Sequence, residues 1–122
     1  MSQKFLTLVM GGSEKPERYS NKAIRMLLKH GYPVVAQGLR AGQVESCQII
    51  PGMPDIADVD TITLYLGPQN QPAYYDYWLG LKPCRIIFNP GTENPEFQDM
   101  ATQQGIICLE ACTLVLLSTG QY

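Results

Sequence analysis

Short apolar, β-branched runs alternate with amphipathic stretches along the chain. The runs predict strands over Lys4–Met10, Tyr32–Gln37, Asp60–Leu66, Arg85–Phe88 and Ile106–Leu109, with a smaller strand over Gln48–Ile50. Apolar residues at helical spacing, together with end signals, predict a helix from a Ser20 cap to Gly31 and further helices over Gln71–Leu81 and Pro95–Gln104. The tail Thr113–Leu117 is consistent with either a helical turn or a strand.

This alternation predicts an α/β protein with a doubly wound, Rossmann-like open parallel sheet of about five strands and helices on both faces. The 122 residues, 45% of them hydrophobic, suffice for one core, so we expect residues 1–122 to form a single domain. Glycine-bearing turns follow three of the strands, at Gly11-Gly12, Gly67-Pro68 and Pro90-Gly91. In such a sheet these turns share the carboxyl edge, where ligands bind.

Charge and cysteine content narrow the classes of protein. The formal charge of −2 gives no electrostatic footprint for nucleic acid or an anionic membrane. The N-terminal apolar run is short for a signal peptide, and no stretch approaches the ~18 apolar residues of a membrane span. The four cysteines lack CxxC spacing and His30 is the sole histidine, so we expect no metal site. These features predict a cytoplasmic protein with reduced thiols.

The turn after the first strand is the first candidate site. Gly11, Gly12 and Ser13 can direct backbone amides and a hydroxyl at a phosphate, and the following helix adds the positive end of its dipole. Arg18, just before the helix, can neutralise the same phosphate. A G-x-G-x-x-G motif is absent, because Pro16 stands where its third glycine would fall, so a tight turn without a ligand explains the glycines equally well.

The end of the second strand discriminates between nucleotides. A domain that binds NAD usually places Asp or Glu there to accept the ribose hydroxyls. This chain has Gln37, Gly38, Leu39 and Arg40 instead. The missing carboxylate and the nearby guanidinium favour a ligand with an additional phosphate on its ribose, although Arg40 as a solvated loop cation explains the pattern as well.

Three other features have both a structural and a functional interpretation. The polar turn from Asn89 to Asn94 either caps the next helix or lines the far side of a cofactor cleft. Cys112 is either a buried, inert thiol or a group that approaches the cofactor. The aromatic residues Tyr74, Tyr75, Tyr77 and Trp78 lie on both faces of a helix, which predicts core packing together with a dimer interface.

The segment VMGGSEKPERYSNKAIRMLLKHGYPV resembles the first unit of the small stand-alone CoA-binding proteins, relatives of the CoA-binding domain of succinyl-CoA synthetase. Their pattern is a glycine, a small residue and Ser, then Pro-x-Arg, then a helix ending in Gly-Tyr. It is matched here by Gly11, Gly12, Ser13, Pro16, Arg18, Gly31 and Tyr32. The resemblance continues through VDTITLYLGP, RIIFNPGTEN and GIICLEAC, and thus covers essentially the whole chain.

The resemblance implies a CoA site. Phosphates would be held by Gly11–Ser13 and Arg18, the loop after the second strand would flank the nucleotide, and Gly67 and Pro68 would border the adenine or pantetheine. In the functional interpretation of the polar turn given above, Asn89 and Pro90 line the far side of this cleft. Family members commonly have Val-Asn-Pro after the second strand, where this chain has Gln37-Gly38-Leu39, so the contacts made by Gly38, Leu39 and Arg40 stay open.

We therefore expect a module that binds CoA or an acyl-CoA, without catalytic residues of its own, and that acts as a homodimer or in trans with a catalytic partner. Two alternatives remain open. One is an NADP-linked oxidoreductase-like protein, which Arg40 permits. The other is a ligand-free interaction protein whose glycine turns are only turns.

Overall fold

The computed structural model describes residues 4–122, and residues 1–3, the start of the run considered above as a signal peptide, lie outside it. The described chain contains a seven-stranded sheet. Its strands are β1 Leu6–Met10, β2 Val34–Gln37, β3 Gly42–Val44, β4 Cys47–Ile50, β5 Val59–Leu64, β6 Arg85–Phe88 and β7 Ile107–Glu110. The helices are α1 Tyr19–Lys29, α2 Tyr75–Leu81, α3 Pro95–Gln103 and α4 Thr113–Ser118.

The strands lie in the order β3-β4-β2-β1-β5-β6-β7, and all neighbours are parallel except the antiparallel pair β3–β4. Numbered among themselves, the parallel strands follow 3-2-1-4-5-6, the order of doubly wound nucleotide-binding folds. The predicted α/β class with a largely parallel sheet is confirmed, but the sheet is mixed and the predicted count of about five strands is wrong. The strand order reverses beside β1, between β1 and β5.

The two outermost strands on one side explain the difference in strand count. The smaller strand predicted over Gln48–Ile50 is confirmed as β4, but the rest of the segment from Leu39 to Pro54 was expected to be a loop, and β3 within it pairs with β4. In this hairpin Val44 pairs with Cys47, and Glu45 adopts a positive φ of 53° in the turn. β3 is only three residues long and carries Gly and Gln, so it lacks the apolar alternation that marks a strand. β3 and the turns around it replace the crossover helix that would usually connect the parallel strands β2 and β4.

Helices cover both faces of the sheet because side chains alternate along the buried strands. On β1, Val9 packs toward α1 and α4, whereas Leu8 and Met10 pack toward α2 and α3. The first face has a core of Val9, Ile24, Leu27, Ala36, Val44, Cys47, Ile49 and Leu117. The second has a larger core that includes Leu8, Met10, Ile62, Leu64, Trp78, Ile86, Phe88 and Phe97. The aromatic residues of α2 contribute to this second core.

Several helix boundaries differ from the prediction. Helix α1 begins at Tyr19 with Arg18 at its N-cap, so Ser20 lies inside the first turn and is buried. Pro68 and Pro72 divide the segment before α2 into two 3₁₀ turns, Pro68–Asn70 and Pro72–Tyr74. The tail forms α4 rather than a strand. Within residues 4–122 no helix combines the length and the apolar character needed to cross a membrane.

Candidate functional site

The candidate site lies at the carboxyl edge of the sheet, where the chain leaves β1 and β5 in different directions. Gly11 follows β1 with a φ of 91°, and a Cβ atom there would lie 3.0 Å from the carbonyl oxygen of Tyr65. A side chain at position 11 would therefore be both conformationally strained and crowded. The glycine allows the first loop to pass directly over the end of β5, against Tyr65 and Leu66.

The amides of Gly11 and Gly12 face the protein and not the cleft. Both donate to the backbone carbonyl oxygen of Gln37, at 2.9 Å and 2.7 Å. A phosphate-facing role had been expected for these amides, but the structure uses them to bind the β1 loop to the end of β2. Gly38 allows this close approach of the two loops, because a Cβ atom at that position would lie 2.4 Å from the carbonyl oxygen of Gly12.

Free backbone donors are found instead at the start of α1. This helix has no side-chain cap at its N-terminus and no acidic residue in its first turn. By contrast, the side chain of Asn94 caps α3 by accepting from the amide of Phe97 at 3.1 Å. The first turn of a helix carries amides without intrahelical acceptors, and they attract anions. The open N-terminus of α1 therefore gives the first loop its potential to bind phosphate.

Hydrogen bonds and an ion pair hold this loop in place. The buried Asn21 donates to the carbonyl oxygen of Ser13 at 2.9 Å and accepts from Nε of Arg25 at 2.7 Å. Arg25 in turn forms an ion pair with Glu45 in the β3–β4 turn at 3.1 Å. On the other side, the carboxylate of Glu14 accepts from the amide of Gln43 at 2.9 Å. The loop is thus anchored to both α1 and the hairpin.

Cations flank the loop. Arg18 and Arg40 are exposed, and neither forms an ion pair with a carboxylate of the described residues. Pro16 is exposed in the same loop as Arg18, and Leu39, which is 92% exposed, precedes Arg40. Both guanidinium groups are therefore free to meet an anionic ligand.

A shallow depression that is largely open to solvent lies between the first loop and the hairpin. It is lined by Glu14, Ala41, Gly42, Gln43, Gln48, Ile49, Ile50 and Pro51.

The opposite wall of the site is built on buried amides. Gln71 donates to the carbonyl oxygens of Leu66 at 3.0 Å and Thr92 at 2.8 Å, which fixes the segment around Gly67 and Pro68. Asn94 donates to Oε1 of Gln71 at 2.9 Å. Gly67 is half-buried, and Pro68 is exposed at the start of a 3₁₀ turn.

Asn89 is 2% exposed and its side chain is fully engaged inside the protein. It donates to Oγ1 of Thr63 at 2.7 Å and to the carbonyl oxygen of Leu64 at 2.8 Å, and it accepts from the amide of Thr113 at 2.8 Å. The following Pro90 is exposed. The side chain of Asn89 therefore joins β5, β6 and α4, and Pro90 stands at the rim.

A family model described as a CoA binding domain matches residues 6–118. The chain belongs to this CoA binding domain family. The match extends from β1 to α4 and includes every candidate site residue named above, so the family resemblance seen in the sequence is confirmed. Among curated proteins, no sequence matches the chain significantly.

Solved structures share the fold of this CoA binding domain. A crystal structure of an uncharacterized protein is 42% identical, with a TM-score of 0.95, and the match covers 99% of this chain and 100% of that one. A hypothetical protein from Pyrococcus horikoshii OT3 is 27% identical over 95% of this chain and 82% of its own, with a TM-score of 0.83. A protein from Thermus thermophilus is 18% identical, with a TM-score of 0.83, and the match covers 98% of this chain and 91% of that one. This similarity shows the fold alone.

The Tyr65 phenol, at the end of β5 in the CoA binding domain, holds its proton more firmly than an exposed tyrosine does. Burial raises the pKa of the Tyr65 phenol well above its usual range, and the nearby Cys112 thiol adds to the effect. Cys112 is half-buried and immediately precedes α4. Among residues 4–122 no group of three or more His, Cys, Asp and Glu side chains is placed to hold a metal ion.

Sequence reasoning missed the residues that position the loops of the CoA binding domain, notably Asn21, Gln37 and Gln71. Asn21 had a visible signal, since it lies three residues before Ile24 on the apolar side of α1. At position 37 the sequence indicated only that no carboxylate is present to accept the ribose hydroxyls of NAD. Gln71 stands next to Pro72 in a segment without periodicity, and no local pattern marks it as buried.

Proposed function

We propose that this chain binds CoA or an acyl-CoA at the carboxyl edge of its sheet, between the loop Gly11–Arg18 and the segment Gly67-Pro68. Membership of the CoA binding domain family supports a CoA-related ligand. The observation that carries the proposal is the uncapped N-terminus of α1, which the chain reaches through residues 13–18 after the glycine turn that follows β1, beside the reversal of strand order.

The diphosphate of the ligand lies at this helix terminus. Its charge is met by the first-turn amides of α1 and by the guanidinium of Arg18, which is exposed and unpaired among the described residues. Asn21 supports the arrangement by holding the carbonyl group of Ser13. The main-chain donors and Arg18 then act on the same anionic group.

The ribose end of the ligand lies near the end of β2. CoA carries a phosphate on the 3′-oxygen of its ribose, and a carboxylate at this point would repel it. The chain has Gln37 in place of the acidic residue of NAD-binding domains, followed by Gly38 and the free guanidinium of Arg40. We assign Arg40 to the 3′-phosphate.

We propose binding without catalysis by this chain. The buried polar side chains around the cleft, Asn21, Gln71 and Asn89, are engaged in holding backbone segments. The groups that we assign to the ligand, which are the first-turn amides of α1 and the guanidinium groups of Arg18 and Arg40, bind phosphate but do not transfer protons at neutral pH. The four free cysteines suit a reducing compartment, which supports a cytoplasmic location.

The proposal is tested by calorimetric titration and thermal unfolding with CoA, dephospho-CoA, NADP and NAD, because a ligand of the folded state raises its unfolding temperature. We expect CoA to bind more tightly than dephospho-CoA. Arg40→Ala removes that preference. Arg18→Ala weakens the binding of CoA and of dephospho-CoA equally, by about 1.5–3 kcal/mol, the range for hydrogen bonds to charged groups.

Lys29→Ala is the matched control, because it removes an exposed cation from the opposite end of the same helix. It leaves both affinities unchanged. Tight binding of NADP with no binding of CoA would replace the proposal by the oxidoreductase-like alternative. No response to any of the four nucleotides would refute nucleotide binding at this edge.

A further inference from the structure

Gln37 makes more connections at the cleft than its place in the sequence indicates. It is the last residue of β2, the position from which dinucleotide-binding domains read the ribose hydroxyls. Here the residue is only 2% exposed, so its side chain is directed into the protein and not toward a ribose.

Both its backbone and its side chain are engaged. The backbone carbonyl oxygen accepts from the amides of Gly11 and Gly12. The side-chain Nε2 donates to the carbonyl oxygen of Gly52 at 2.9 Å and to the hydroxyl of Tyr74 at 3.2 Å. One residue thus connects the loop after β1, the loop after β4 and the segment leading into α2.

The loop after β4, residues 51–58, has few other supports. It crosses the α2 face of the sheet to reach β5 without forming a helix or a strand. Besides the bond from Gln37 to Gly52, the loop is held by the Tyr77 hydroxyl of α2, which donates to the carbonyl oxygen of Pro54. Ile56 packs partly against the core of that face. The start of this loop therefore depends on the amide of Gln37.

We propose that Gln37 is a positioning residue that couples residues 51–58 and Tyr74 to the glycine turn, and so sets the shape of the cleft for its ligand. The part of this inference that concerns CoA rests on the function proposed above. The coupling itself is a property of the ligand-free protein. Its chemistry is specific, because a single NH₂ group supplies the two hydrogens that Gly52 and Tyr74 accept.

Gln37→Met tests the coupling, since it keeps a similar side-chain length and the backbone carbonyl but removes both donors. Ile106→Val is the control, a small core deletion at the opposite edge of the sheet. Unfolding free energies of both variants are measured first, so that changes in local exchange are compared at known global stability. Amide hydrogen exchange of residues 51–58 and the CoA dissociation constant are then measured on the folded proteins.

Gln37→Met is expected to speed exchange in residues 51–58 relative to the β5–β6 core and to weaken CoA binding about tenfold, the scale of one lost hydrogen bond. Ile106→Val changes neither. Unchanged local exchange in Gln37→Met overturns the coupling, and faster exchange with unaltered CoA affinity overturns its role in the cleft. If the wild-type protein fails to bind CoA, the proposed function falls, whereas the exchange data still decide the coupling.

Discussion

At position 38 the backbone passes so close to the first loop that a Cβ atom would lie 2.4 Å from the carbonyl oxygen of Gly12 and 2.8 Å from Cγ2 of Ile49. Neither neighbour is the end of a flexible side chain. At position 12, a Cβ atom would lie 3.0 Å from Cβ of Ala36. Because neither glycine has a Cβ atom, the loop after β1 can pack closely against β2 and the loop that follows it.

Gly38→Ala is expected to destabilise the protein by about 1–3 kcal/mol, the usual cost of overpacking. Gly80→Ala is the matched control, because a Cβ atom at position 80, inside α2, meets nothing within 4 Å. That variant is expected to be stabilised, since alanine favours a helix over glycine. Urea unfolding measures both, and equal effects of the two substitutions would contradict this account.

Single residues were predictable where their signal is local. The positions of Gly11, Gly12 and Arg18 follow from the turn and helix patterns around them. The role of the glycine amides was not predictable, because their acceptor is the carbonyl group of Gln37, supplied by another strand. The sequence indicates which residues stand at the edge but not which donors point outward.

Among the secondary-structure elements, α1 and α3 begin in opposite ways. Asn94 caps α3 and also donates to Oε1 of Gln71 and to the hydroxyl of Tyr75, at 2.9 Å and 2.8 Å. The start of α3 is thereby closed by protein groups. The start of α1 has no such cap and remains open to a ligand.

Asn94→Ala is expected to lower the free energy of unfolding by about 1–3 kcal/mol, because it removes the cap and leaves the buried Oε1 of Gln71 without this donor. Asn94→Ser separates the two effects, since serine can cap a helix but is too short to replace the donor to Gln71. Its loss of stability should be smaller. Chemical unfolding measures both, and equal losses would mean that the cap contributes nothing.

Elements were predictable where periodicity extended over several residues. The parallel strands and α3 were located within a few residues of their observed ends. The helix predicted from Gln71 begins only at Tyr75, because Pro72 interrupts the hydrogen bonds before it. Strand β3 was missed because its three residues are stabilised by pairing with β4 and not by a local pattern.

For the molecule as a whole, folding raises the pKa of several thiol and phenol groups that are buried or partly buried. Burial raises the pKa of the Cys47 thiol to about 11. Burial, with a contribution from Asp55, raises that of Tyr77 to about 12. Burial also raises the pKa of Tyr122. Each group therefore holds its proton more firmly in the folded chain than in the unfolded one.

The protein is expected to lose stability steadily as the pH rises above about 8.5 to 10, the unfolded pKa values of Cys and Tyr. Above those values the unfolded chain releases protons that the folded chain still holds, so unfolding becomes more favourable until the folded groups titrate as well. Urea midpoints between pH 8 and 11 measure the effect. Tyr77→Phe should reduce the slope above pH 10, and a constant midpoint in the wild type would contradict the prediction.

The central place of β1 has a consequence during synthesis. Leu8 pairs with Val35 on one side and with Ile62 on the other, so one partner of β1 is synthesised only after α1, β2 and the β3–β4 hairpin. Contacts of such long sequence separation form slowly. We expect β1, α1 and β2 to associate early on the ribosome, while one edge of β1 stays unpaired until β5 emerges. The proposed site lies at the carboxyl ends of β1 and β5, so a nascent chain cannot complete it before that point.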